Sequence, residues 1–430
     1  MQDRDRWSRH CQIFSLSCAR PHVWVLSFER SVTTLLCYNP ISSTRELVVA
    51  PSASPGERRL KVEVINEPGS AWEACEQALD QRRTPLPMYH RAAWARAARE
   101  AGVKSSLFVV KDDSGRCTAA FVAQTTGTRA LPGHNVVSVP RLGIGTSGFD
   151  RKKLETAIGA LIDRARANPR TLRVVVDVFS LDADKRGETS EVFSWHGFKR
   201  IPAVRSYERT LLLDLRPSEN ELFAALHTKA RQGVRSVQKF PIRIRTADDA
   251  SLSGRFEELN AQTRARTGGE NHRPNWAAFI EMSRQSPDLS RIVLLEKIDD
   301  VGRDAVIAFA WACIHGDVAE YKESASSRSE RRIPTTYPLL WDLILWAKRS
   351  GAKWFDLGGV TGGGPEGEDP LAGISDFKRR FTKNEADVGE EWELYPHPRR
   401  AALAGAVTRV ASLARSLLQS RYLRRPARAG

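Results

Sequence analysis

From Leu60 onward the apolar positions fall into short blocks of two alternating kinds. Runs rich in β-branched residues predict strands at Leu60–Ile65, Leu107–Lys111, Thr118–Gln124, Asn135–Val139 and Leu172–Val178. Between them, apolar residues at helical spacing predict helices over Ser70–Asp80, Tyr89–Ala101 and Lys152–Arg166. Interleaved strands and helices of this kind define an α/β layer architecture.

The second half repeats the order. Ile292–Glu296 answers Leu107–Val110, and an Asp-Asp-x-Gly-Arg turn follows each, Asp112 to Arg116 and Asp299 to Arg303. An apolar strand comes next in both, Ala119–Ala123 and Ala305–Trp311, and then a helix leading to a strand that carries an acid, Asp177 or Asp356. The same order at nearly the same separation points to two copies of one fold. We therefore expect a disordered extension over 1–56, a first domain over 57–216, a linker helix over 217–239, a second domain over 240–396 and a basic amphipathic tail over 397–430. The linker, Glu221 to Lys239, repeats its apolar positions Phe223, Leu226, Ala230, Val234 and Val237 at helical spacing and sets Lys229, Arg231 and Arg235 on other faces. The tail places Leu403, Val407, Val410, Ala414 and Leu417 on one helical face among eight arginines from Arg399 to Arg428. Such a helix suits either an anionic membrane or docking on the body of the protein.

Length and composition fit this plan. A chain of 430 residues suits two domains with tails, and 41% hydrophobic with 27% charged residues is ordinary for a globular protein. No apolar run reaches the roughly 18 residues that a membrane span needs, and no secretory signal follows Met1, so a cytoplasmic protein is expected, with any membrane contact at the inner face. The six cysteines are scattered without zinc spacing, so neither a metal nor a disulfide framework is expected. A net charge of +15 favours polyanionic partners such as tRNA, nucleotide phosphates or anionic lipid, and leaves a nucleic-acid-binding protein as one alternative to an enzyme.

Among local motifs, Gly143-Ile-Gly145-Thr-Ser-Gly148 fits a dinucleotide fingerprint, but it follows several strands and the next strand acid, Asp177, comes too late, so it reads as a tight loop. The glycine-rich stretch from Gly358 lacks the Gly-Lys-Ser/Thr of a P-loop, and zinc-peptidase and serine-hydrolase motifs are absent. Direct group transfer without a covalent enzyme intermediate is the simplest chemistry left.

Several blocks of the second half carry a resemblance. They are Leu226 to Arg235, Phe256 to Gly268, Glu320-Tyr321-Lys-Glu-Ser-Ala-Ser326, Leu340-Trp341 through Phe355-Asp356-Leu-Gly358-Gly359, and Gly373-Ile374-Ser-Asp-Phe377-Lys378-Arg-Arg-Phe381. The first half contributes Trp72 and the Tyr89-His90-x-x-x-Trp94-Ala95 segment. Together they resemble the Fem-type (FemAB) peptidoglycan aminoacyltransferases and their relatives with a GNAT-like acetyltransferase fold, over about Leu60 to Leu394. The resemblance implies two tandem GNAT-like domains with mixed sheets flanked by helices. It also implies an acyl- or aminoacyltransferase that forms an amide bond on a nucleotide-linked or lipid-linked cell-envelope precursor.

By that resemblance Lys378 contacts the acceptor's phosphates, with Phe377 beside it, and Ser326 belongs to the matching substrate segment. Backbone amides near Glu320 to Ser324, where the central strand splays from its neighbour, would polarise the donor carbonyl. Glu320, Tyr321 and Asp356 are the nearby candidates to take a proton. Lys229, Arg231, Arg235 and Arg332 are candidates to guide phosphates. No bound cofactor is expected. The donor is open between aminoacyl-tRNA and acyl-CoA, since the long helical hairpin of tRNA-using members is missing and the fold's pyrophosphate loop is only approximated by Arg141 to Gly145. An acyl-CoA-dependent N-acyltransferase of polysaccharide or envelope biosynthesis and an inactive scaffold remain alternatives.

Overall fold

The computed structural model describes residues 44–47, 60–128, 131–144, 148–202, 207–267, 274–300, 302–330, 332–361 and 372–409. Two mixed sheets organise them. The first half supplies strands β1 (Thr44–Leu47), β2 (Lys61–Ile65), β3 (Lys104–Lys111), β4 (Cys117–Gly127), β5 (Asn135–Leu142), β6 (Thr171–Phe179) and β7 (Lys199–Arg200). The second supplies β8 (Arg209–Asp214), β9 (Ile242–Thr246), β10 (Ser290–Lys297), β11 (Val306–His315), β12 (Val318–Ser326), β13 (Trp354–Gly359), β14 (Glu385–Asp387) and β15 (Gly389–Leu394). The eight-stranded sheet runs β1-β2-β3-β4-β5-β6-β15-β7 and the seven-stranded sheet runs β14-β8-β13-β12-β11-β10-β9.

Set side by side, β2 to β6 and β9 to β13 have the same order and the same directions. Neighbours are antiparallel except one parallel pair in each sheet, β5 with β6 and β12 with β13. The repeat read from the two Asp-Asp-x-Gly-Arg turns is therefore two tandem GNAT-like α/β units. The expected cuts at 216 and 396 do not follow the sheets. β8, expected in the first domain, pairs with β13, and β15, expected in the second, pairs with β6. Each unit is completed by a strand from beyond its own stretch of chain, because β6 and β13 are interior strands whose outer edge must be hydrogen-bonded. Of the expected N-terminal extension, Thr44–Leu47 forms β1 on the edge of the first sheet, and the rest of 1–56 lies outside the described residues.

Helices cover both faces. In the first half they are α1 (Ser70–Gln81), α2 (Ala92–Glu100), α3 (Arg151–Ala167) and α4 (Ala183–Trp195). The second half carries α5 (Glu219–Ala225), α6 (Thr228–Arg235), α7 (Ser253–Thr267), α8 (Trp276–Gln285), α9 (Thr336–Arg349) and α10 (Ala372–Arg379), and α11 (398–409) ends the described chain. Every residue of β11 is buried, as expected for a strand with helices on both faces. On one face α9 packs Leu339, Leu340, Leu343, Ile344 and Ala347. On the other, Trp276, Ile280 and Phe256 of α7 and α8 meet Met88 and Ala97 from the first half, so this core is shared between the halves.

Two expected helices are broken, and both breaks have a local cause. The linker splits at Leu226-His227, where Leu226 turns extended and the His227 ring accepts the Lys229 N–H to cap a new helix. The segment expected as one helix from Tyr89 becomes a short 3-10 turn, Met88–His90, then extended Arg91, then α2. Gly143 and Gly148 have φ of 93° and 71°, and a Cβ on Gly143 would stand 2.9 Å from the Phe179 carbonyl oxygen, so the loop is tight as expected.

Trp392 of β15 is buried in the first core with its ring 5.9 Å from Phe193. Trp392→Ala should therefore destabilise the first unit by about 3–5 kcal/mol. Urea unfolding followed by circular dichroism measures it, and a loss under 1 kcal/mol would show that β15 does not close that core.

Candidate active site between the two units

β12 and β13 pair only at Val318, Ala319 and Glu320, opposite Trp354, Phe355 and Asp356, and then part. The parting puts two carboxylates, Glu320 and Asp356, side by side at the mouth of a splay. Glu320 and Asp356 are both buried, and residues from distant parts of the chain converge on them. Tyr89 donates to Glu320 Oε2 at 2.6 Å, and Arg141 Nη2 donates to Oε1 at 3.2 Å. His315 Nε2 lies 3.2 Å and Lys322 Nζ 3.5 Å from Oε2, while Tyr207 Oη is 3.3 Å from Oε1. Tyr207 also donates to Asp356 Oδ2 at 2.7 Å, and Asp356 Oδ1 accepts from Thr210 and from the Gly358 N–H.

Electrostatics separates the two acids. Burial opposes charge on Glu320, but Lys322, Arg141 and His315 together outweigh it and hold the carboxyl well below the usual carboxylate range. Burial and the neighbouring Glu320 charge raise Asp356, against the pull of Arg141, Thr210 and Tyr207. Burial pushes Tyr89 and Tyr207 far up, so both remain hydrogen-bond donors. His90 and His315 are lowered by burial and stay neutral; their Nδ1 atoms accept the backbone N–H of Val122 and of Met88. The His315 tautomer that accepts at Nδ1 carries its proton on Nε2, toward Glu320. Arg141 is fixed further by lying 4.1 Å above the Tyr207 ring and 3.7 Å from Asp177.

The bulge in β12 adds an acid that sequence periodicity does not reveal. Register shifts between Trp311 and Ala312, so Cys313 faces Glu320 while Trp311 faces Glu323. Trp311 and Cys313, two apart, share a face, and the extra residue therefore brings Glu320 and Glu323 onto one face although they are three apart. Burial pushes the Glu323 carboxyl up to about 7, against Arg264 and Lys322. Sequence alone gives Tyr89, Arg141, Tyr207 and Lys322 no role in this cluster. Tyr89 and Arg141 figure there only within motifs, and the contacts of Tyr89, Arg141 and Tyr207 with Glu320 span more than a hundred residues and leave no local pattern.

The other sequence candidates are distributed around this centre. Lys378 of α10 is buried, not solvated, and donates to the Gly359 carbonyl at 2.7 Å; burial lowers it to about 8, against the attraction of Asp356. Gly358 makes room for it: φ is 79°, and a Cβ there would lie 3.3 Å from Lys378 Nζ. Phe377 and Phe381 pack on Tyr337. Tyr321 turns to the α9 core and bonds Ser324, and burial pushes its hydroxyl up to about 12. The Thr263 hydroxyl donates to the Ser326 carbonyl and accepts the Ser326 N–H. Arg231 is tied to the Ala224 and Leu226 carbonyls, Arg235 lies 5.1 Å over the Phe223 ring, and Lys229 and Arg332 are exposed. α6 starts against the end of α10, where the His227 N–H meets the Arg380 carbonyl, and not in the carboxylate cluster. Residues 362–371, which continue the Gly358 loop, lie outside the described residues. No group of three His, Cys, Asp or Glu side chains among the described residues is placed to hold a metal ion.

Removing the Glu320 charge strands Arg141 and Lys322 in the interior. Glu320→Gln should cost roughly 3–5 kcal/mol, and Tyr89→Phe, which removes one bond, about 1–3 kcal/mol. Equal small losses in urea melts would mean that the cluster does not hold the units together.

Residues 224–379 match the family model described as an acetyltransferase (GNAT) domain. The structure titled "Crystal structure of FemX" superposes with a TM-score of 0.58 at 16% identity, over 74% of this chain and 96% of that one. Two others are more distant. L-PGS from Bacillus licheniformis has 12% identity, a TM-score of 0.47 and coverage of 81% and 97%. A tandem GNAT protein from the clavulanic acid biosynthesis pathway has 12% identity, 0.45, and coverage of 79% and 99%. No curated protein matches the chain in sequence. With the tandem sheets, the parted parallel strands and the domain matched over 224–379, the chain has a tandem GNAT-like fold and carries an acetyltransferase (GNAT) domain, which makes it an acyltransferase.

Proposed function

We propose that this acyltransferase forms an amide bond on an amino group of a nucleotide-linked or lipid-linked cell-envelope precursor of peptidoglycan type. The donor is an aminoacyl-tRNA or an acyl-CoA, and the acceptor lies between the two units. The observation that carries this reading is the face of β12 beyond its parting from β13. There Glu323, pushed by burial to about 7 and hydrogen-bonded to Asn260, lies by register on the same face as the ionised Glu320, and the buried cation Lys378 sits at Gly358 and Gly359. The expected likeness to the envelope aminoacyltransferases and the superposition on FemX support the choice of acceptor.

The chemistry follows from those positions. The acceptor amine attacks the donor carbonyl, a C–N bond forms, and the C–O or C–S bond to the tRNA ribose or to CoA breaks. Glu323 takes the proton lost by the amine, because a carboxylate near 7 is both ionised and basic at neutral pH. Backbone amides of β12 past Glu320, which have no ladder partner on β13 among the described residues, face the carbonyl oxygen as charge builds on it. Lys378 holds an acceptor phosphate as a point charge in a dry setting. Glu320 and Asp356 position the site.

The test is product formation from a UDP-linked muropeptide with charged tRNA or with acetyl-CoA, followed by mass spectrometry. Failure of both donors to modify the amine would reject the reading. Two pH signatures are expected. Wild-type kcat/KM should fall as pH drops through about 7, where Glu323 becomes protonated, and Glu323→Gln should lower it roughly a hundredfold or more and flatten that limb. Acceptor KM should rise above about pH 8, where Lys378 loses its charge, and Lys378→Ala should raise KM at neutral pH and abolish the dependence.

A further inference from the structure

A cavity of about 570 Å³ opens in the first unit between the sheet and α3, with Asn66, Lys104, Phe108, Val137, Leu161 and Arg164 in its wall. Three successive cross-strand pairs of β3 and β4 on the α3 face account for it. Phe108 and Phe121 stack with ring centroids 5.1 Å apart. Next come Ser106 and Ala123, too small to fill the same layer, and then Lys104 and Thr125 toward the strand ends. The aromatic pair makes the back wall, the small pair leaves space under α3, and the third pair sets a cation at the mouth.

Arg164 of α3 reaches across this space to the end of β2. Its Nη2 donates to Asn66 Oδ1 at 2.6 Å, and the same oxygen accepts from Ser106 at 3.3 Å. The guanidinium is half-buried, and burial lowers it from the usual arginine range with no neighbouring charge to oppose the shift. Arg91 and Arg141, the buried arginines of the first unit, are treated differently: Arg91 rests against Glu76 and Asp80, and Arg141 against Asp177 and Glu320. Arg164 has a neutral amide instead, and Lys104 is exposed without an ion pair among the described residues. Glu67 is the one acid in the described wall, and it accepts from Arg99, a third cation of the rim, at 3.3 Å. Three cations against one acid leave the wall with a net charge of +2.

We infer that this cavity is a second binding site, for a small organic anion whose carboxylate or phosphate head meets Arg164 and Lys104 and whose apolar body lies on Phe108 and Leu161. An anion supplies Arg164 with the counter-charge that the described chain withholds. An apolar body fits because the wall beneath the cations is Phe108, Ala123, Val137 and Leu161, with no ionised group among them. Space of this size suits a metabolite-sized molecule. The site is distinct from the Glu320 centre, since α2 runs between them with Tyr89 before its first turn and Arg99 in its last, and its nine residues span about 13 Å. The inference is independent of which acyl group or acceptor the enzyme uses.

Ligand-observed NMR titration of the full chain tests it with phenylacetate, benzyl phosphate, the neutral phenylacetamide and acetate. At least one of the two aromatic anions should bind saturably and roughly tenfold or more tightly than phenylacetamide or acetate, and which one does so names the head group. Arg164→Gln, which keeps an amide to meet Asn66, and separately Lys104→Gln should each weaken that binding roughly fivefold or more. Should Arg164→Gln lower the melting temperature, Lys104→Gln, at an exposed position, decides alone. Lys378→Ala, at the other centre, should bind as wild type does. Three results overturn the proposal: neither aromatic anion binds, the amide or acetate binds as tightly, or the Arg164 and Lys104 variants match wild type. Binding lost in Lys378→Ala but kept in those two would move the anion to the Glu320 centre, which overturns it as well.

Discussion

A single buried carboxylate, Glu320, ties the two halves of this protein together. Its charge is tolerable only because Arg141 and Tyr89 reach it from one unit and Lys322, His315 and Tyr207 surround it from the other direction. Burying such a cluster costs several kcal/mol per ion before the partners compensate, so every partner must be in place at once. That requirement explains much of the local geometry. Arg141 takes a positive φ, the chain breaks at Arg91 so that Tyr89 points across the boundary, and both histidines are neutral and committed to backbone amides.

The same cluster leaves the reacting groups free to differ. Around it the acidities differ: burial and the Glu320 charge raise Asp356, burial alone pushes Glu323 up to about 7, and burial lowers Lys378 to about 8. In the proposed reaction a carboxyl that titrates near neutrality is suited to take the proton of the amine. The bulge at Lys322 and the absence of a side chain at Gly358 are the two backbone devices that make the arrangement possible.

How much of this was legible in the sequence varies with distance along the chain. Strands β2 to β6, helices α1 and α3 and the repeat marked by the two Asp-Asp-x-Gly-Arg turns followed from local period, which is where periodicity is strongest. Asp356 could be named because it sits in an otherwise apolar strand, and Glu320 because it opens a block that carries the family resemblance. Their partners could not, since Tyr89 and Arg141 are hydrogen-bonded to Glu320 across separations of 231 and 179 residues. Glu323 was hidden for another reason: strict alternation places it on the face opposite Glu320's other neighbours, and only the extra residue of the bulge corrects the count. The strand exchange escaped because β8 and β15 read as ordinary strands wherever they are placed.

That exchange shapes how the chain must come into being. The first unit emerges from the ribosome nearly complete by Phe198, yet the strand that covers β6 is not synthesised until residues 389–394. For the time needed to translate almost two hundred residues, the nascent protein carries an open, hydrophobic sheet margin. Partial products and early-terminated chains are therefore the species most prone to stick to one another, and the two units are committed to maturing together.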